Sequence, residues 1–117
     1  MILISHRGNI LGKKKQLENN PDYIENALNL GYDVEVDVWS VDKQFYLGHD
    51  EPQYKIERSF LQNKKLWCHA KNIEAFYRMK DEMTSKSICV MPPSSRDLPK
   101  NIAGVCSDTV GYYNEKV

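Results

Sequence analysis

The chain lacks any long hydrophobic run: the apolar stretch at its start covers only residues 1–4 before His6 and Arg7 interrupt it. A secretory core or a membrane span needs several times that length, so a soluble, cytoplasmic protein is expected. It also lacks an excess of one charge, with 16 Lys and Arg against 16 Asp and Glu. No overall field draws it toward nucleic acid or an anionic membrane. Cysteine is scarce: Cys68, Cys89 and Cys106 form no Cys-x-x-Cys pair, and each lies in an apolar, strand-like run. Three separated, buried thiols fit a reducing compartment. Length is limiting too, because 117 residues make one domain, whereas a full eight-stranded β/α barrel needs ~250. No internal repeat, low-complexity tract or linker divides it, so residues 1–117 are read as a single domain.

What the chain does contain is alternation of strand and helix signals. Residues 2–6 read as a short buried strand, with Gly8 and Gly12 marking the loop after it. Asn20-Pro21 is a helix start, and Tyr23, Ile24, Ala27, Leu28 and Leu30 recur at helical spacing until Gly31, predicting a helix over 21–30. Residues 33–39 alternate, with Val34, Val36 and Val38 on one face and Glu35, Asp37 and Trp39 on the other. If the valines pack beneath helices, the carboxylates point into a barrel or crevice, where unpaired charge is costly without a cation. A turn at 41–44 and a returning strand at 45–48 follow, then a brief helix at 57–62, a strand at 65–71 and a helix at 73–83. Two further strands are predicted at 87–91 and 102–107. Such an order implies parallel pairing through right-handed crossovers.

The residues with chemical potential gather at the ends of these strands. Glu35 and Asp37 offer two hard oxygen ligands to one divalent ion, Mg²⁺ or Ca²⁺ in the first instance. His6 and His49 follow separate strands, and a base and an acid are what phosphodiester cleavage requires. Arg7 offers a planar fork for phosphate oxygens, with an ion pair to Glu18 or Asp50 as its structural alternative. His69 and Lys71 share a strand face. The lysine can neutralise charge on phosphate, and the imidazole can bind metal or hydrogen-bond a ligating carboxylate. Trp39 walls the pocket or packs in the core, Asp108 is a candidate supporting acid, and Gly8 and Gly48 either allow close approach of a ligand or simply turn the chain. Lys13-Lys14-Lys15 is read as a solvated loop rather than a phosphate-attracting rim.

Taken in order, these motifs resemble the glycerophosphodiester phosphodiesterase family, which shares a barrel superfamily with phosphatidylinositol-specific phospholipase C and spider-type sphingomyelinase D. The family's His-Arg-Gly is matched by His6-Arg7-Gly8, and its Glu-Asn-Thr is similar to Glu18-Asn19-Asn20. Its Glu-x-Asp and later Gly-His-Asp correspond to Glu35, Asp37 and Gly48-His49-Asp50, and its terminal Thr-Asp to Ser107-Asp108. The resemblance implies acid and base roles for His6 and His49, metal ligation by Glu35 and Asp37, and phosphate binding by Arg7. Two departures stand out. Where the family has Glu-x-Lys, this chain has His69-Ala70-Lys71, so ligation by His69 would shift preference toward Mn²⁺ or Zn²⁺. The chain is also about half the usual length.

The expectation is therefore a shortened or incomplete TIM-like (β/α) barrel of parallel strands, acting as a metal-dependent phosphodiesterase on a small-molecule phosphodiester. A non-catalytic phosphate-ester-binding module derived from the same fold is the alternative. Missing units would leave apolar edges, to be covered by a smaller closed barrel or by self-association into a homo-oligomer.

Overall fold

Asn20 and Pro21 open the first helix as expected, the Asn20 side chain accepting a hydrogen bond from the Asp22 N–H at 2.9 Å. The structure, a computed structural model, describes residues 2–82, 104–109 and 111. In chain order these form β1 (Ile2–His6), α1 (Pro21–Asn29), β2 (Asp33–Val41), β3 (Gln44–Leu47), β4 (Tyr54–Ile56), α2 (Arg58–Leu61), β5 (Leu66–Ala70), α3 (Ile73–Glu82) and β6 (Gly104–Ser107). The strand expected at 87–91 lies outside the described residues. Gly31, at φ +98°, ends α1 in the left-handed conformation that favours glycine.

The expected barrel is corrected: the described strands form a six-stranded mixed sheet with three short helices, not a barrel of strands alternating with helices. Parallel pairing joins β6 to β1, β1 to β2 and β2 to β5, but β3 and β4 pair antiparallel. The cause is local. Asp42 and Lys43, both at positive φ (51° and 67°), make a two-residue turn that sends the chain straight back along β2. A connection that short cannot make a parallel crossover. Strand β4 begins two residues after Pro52 and is only three residues long, too short a segment to carry a readable alternation in the sequence.

Strand β2 organises the molecule. Its even residues turn their backbone groups toward β5, with Val34 N–H donating to Lys65 O and Lys71 N–H to Val38 O. Its odd residues face the other edge, which β1 and β3 share: Arg7 N–H bonds Glu35 O, and Gly48 N–H bonds Asp37 O. Two asparagine side chains complete the ladder where neighbouring strands run out. Asn19 Oδ1 accepts from the Asp37 N–H at 2.9 Å, and the Asn72 amide bonds both the N–H and the C=O of Ser40.

The side chains of β2 divide as the alternation predicted. Val34, Val36 and Val38 are wholly buried with Ile24 and Ala27 of α1 and Ala75 and Met79 of α3. Glu35 and Asp37 are also wholly buried, on the opposite face. Among the described residues, no helix is long and apolar enough to cross a membrane.

Candidate active site

The parallel strands β1, β2 and β5 bring His6, Glu35, Asp37 and His69 into neighbouring registers, His6 beside Glu35 and Asp37 beside His69. Ligand atoms of Glu35, Asp37 and His69 all lie within 4.8 Å of one another. Donors around one divalent ion at ~2.0–2.6 Å fall in about that range.

The two carboxylates are provided for very differently. Asp37 Oδ2 accepts from Asn19 Nδ2 at 2.9 Å, and His69 Nδ1 donates to Asp37 Oδ1 at 3.1 Å. Arg7 Nε sits 2.9 Å from Asp37 Oδ2, an ion pair whose angle does not make a hydrogen bond. Glu35, in contrast, has no hydrogen-bond partner for either oxygen among the described residues. The His6 ring nitrogen Nε2 is 3.8 Å away, too far for a hydrogen bond. Burial, reinforced by the negative charge of Asp37, pushes the Glu35 carboxyl up to about 8; Arg7 and Lys71 pull it down only in part. A buried, unpartnered carboxylate beside a second carboxylate and an imidazole fits a divalent cation, which would supply the missing partner.

His6 is held from behind. Its Nδ1 lies 2.9 Å from Asp108 Oδ1, and a carboxylate only accepts, so Nδ1 carries the hydrogen and Nε2 presents its lone pair toward Glu35. The adjoining Arg7 adopts φ +60°, an unusual backbone state for a side chain of that size. Two backbone bonds secure it, from Arg7 N–H to Glu35 O and from Asn19 N–H to Arg7 O. Of the two carboxylates expected to pair with Arg7, Glu18 does so at 3.1 Å, whereas Asp50 bonds His49.

Residues absent from the expected site hold it together. Asn9, wholly buried, donates from Nδ2 to Glu18 Oε2 and to Asp108 Oδ1, both at 2.9 Å. Its Oδ1 accepts from Tyr23 O–H and from the Lys14 N–H. One amide thus joins the partner of Arg7 to the partner of His6. Burial, and after it the negative charges of Glu18 and Asp108, hold the Tyr23 phenol above its ordinary value. Asn9 adjoins a recognisable motif, but its partners lie as far as 99 residues along the chain, and no spacing in the sequence shows them.

Other expected residues fall in assorted places. Gly8 is required by Tyr23 rather than by a ligand: its φ is +96°, and a Cβ there would meet the Tyr23 ring at 2.5 Å. Trp39 Nε1 donates to Gly48 O at 2.7 Å and so braces the turn that carries His49. His49 itself is outward, 43% exposed, with Nδ1 bonded to Asp50 at 2.8 Å. It lines a cavity of about 520 Å³ with Arg7, Lys13 and Lys15 among others. Lys13, Lys14 and Lys15 are exposed in a loop, as expected, and Lys13 and Lys15 also edge this cavity. No protein-family model, curated protein or solved structure matches this chain.

Proposed function

We propose that the protein is a metal-dependent phosphodiesterase acting on a glycerophosphodiester or similar small phosphodiester. The observation that carries this reading is Glu35: wholly buried, without a hydrogen-bond partner among the described residues, and next to Asp37 and His69. Glu35 and Asp37 would hold the ion, with His69 either ligating it or, as the bond to Asp37 favours, orienting that carboxylate. When bound, the metal supplies Lewis-acid stabilisation of charge on the phosphoryl oxygens.

The chain's own residues account for the remainder. His6 Nε2, with its proton fixed on the opposite nitrogen by Asp108, accepts a proton from the attacking water or substrate hydroxyl. Arg7 binds phosphate through Nη2, the nitrogen not engaged by Glu18 or Asp37. Lys71, close enough to lower the Glu35 carboxyl by its charge, adds a second cation. His49, on the same cavity as Arg7, protonates the departing alcohol as the P–O bond breaks.

Hydrolysis of bis(p-nitrophenyl) phosphate with Mg²⁺, Ca²⁺, Mn²⁺ or Zn²⁺ tests the proposal. His6→Ala and Glu35→Gln should each lose roughly 10²-fold or more, and Glu35→Gln should also lose any metal-dependent rise in Tm. Activity unchanged in both variants overturns it. A second reading, a phosphate-ester-binding module without turnover, is favoured by the outward, Asp50-bonded His49. Calorimetric binding of a phosphate ester with no product formed would select it.

A further inference from the structure

The cavity in front of Arg7 and His49 has a lining the proposed reaction does not explain. At about 520 Å³ it is large enough for a whole small molecule rather than a phosphoryl group alone. The described residues that line it are all charged or polar, Arg7, Lys13, Lys15, Glu18, His49 and Glu51 among them.

Its charges are unevenly committed. Glu18 is bonded by Arg7 and Asn9, and Asp50 by His49. That leaves Glu51 as the remaining carboxylate against two lysines, Lys13 and Lys15, neither of which makes an ion pair among the described residues. The loop carrying them is fastened. Lys14 N–H bonds the buried Asn9 Oδ1 at 3.1 Å, Gly12 N–H bonds Asp108 O at 3.0 Å, and Leu17 N–H bonds Lys14 O at 2.8 Å. Lys14 is thus pinned by its backbone to the network behind His6, and the residues on either side both reach the cavity. The backbone share of the cost of ordering these two cations at the cavity is met before any ligand arrives.

We infer that Lys13 and Lys15 form a subsite for a second anionic group on the substrate's alcohol portion. The substrate class is a phosphodiester of a hydroxylated alcohol that carries an additional phosphate or comparable anion. This rests on the phosphodiesterase reading for its account of which group lies at Arg7, but the anion subsite itself can be measured at equilibrium.

The test compares glycerol 1,3-bisphosphate with glycerol 1-phosphate by calorimetry at low ionic strength, on the wild-type chain and on the doubly substituted K13A/K15A. The bisphosphate should bind about tenfold more tightly to the wild type, a margin that collapses toward one in K13A/K15A and in high salt. A ratio near one in the wild type, a ratio unchanged in K13A/K15A, or no binding of either ligand overturns the inference. The two readings separate cleanly. A preserved ratio without diester hydrolysis sinks turnover but keeps the subsite, and hydrolysis with a flat ratio does the reverse.

Discussion

Asn9 makes four side-chain hydrogen bonds from a wholly buried position, and three of them end on Glu18, Asp108 and Tyr23. Asn9→Ala therefore strips the buried Glu18 Oε2 and the half-buried Tyr23 O–H of these bonds, and should cost about 2–4 kcal/mol in urea denaturation. Asn9→Asp keeps the volume but sets a third carboxylate against Glu18 and Asp108, so it should unfold at lower urea than Asn9→Ala. The reverse order would show that Asn9 acts by filling space and not by donating. His6 depends on the same amide, because Asp108 Oδ1 serves both Asn9 and the His6 ring.

Between strands, the notable device is Asn19, which stands at φ +65° and substitutes for a strand where β1 has ended and β3 has not begun. It also donates to Asp37 Oδ2, so one side chain serves both the backbone and the carboxylate of the same residue. Asn19→Ala should lower stability by about 2–3 kcal/mol and speed hydrogen exchange at the Asp37 amide, with Val34 and Val36 on the β5 edge little affected. Uniform acceleration along β2 would contradict this division of its two edges. The hairpin has a comparable role at the other end of β2, delivering Gly48 and His49 to the edge where Arg7 emerges.

For the molecule as a whole, Glu35 sets a pH dependence of folding. Its carboxyl titrates near 8 in the folded state against 4.5 ordinarily, so the folded chain holds the proton more tightly than the unfolded one. Stability from this group is full below about pH 4.5, declines as pH rises, and is lost above about pH 8, with a slope of up to ~1.4 kcal/mol per pH unit. In chelator, wild type minus Glu35→Gln should show that decline in urea titrations across this window. A flat difference would contradict it. Metal binding displaces the same proton, so affinity should rise with pH and level off near 8. Glu35→Gln should not show that rise.

How much of this was legible depends on where the partners lie. The helix at Asn20-Pro21, the inward carboxylates of β2 and the turn at 41–44 all follow from neighbours in sequence, and the structure has each of them. Periodicity and capping are local, so one dimension is enough. The mixed sheet, the asparagines that patch its ladder, the alliance of Asn9 with Asp108 and the fastening of the lysine run were not readable, because each joins segments distant along the chain. Sequence alone determined which strand ends carry the histidines and the paired carboxylates. Tertiary structure alone decided that Glu35 has no hydrogen-bond partner among the described residues, that His6 has one, and that Lys13 and Lys15 edge a cavity, since burial and hydrogen bonding are properties of what surrounds a residue in space.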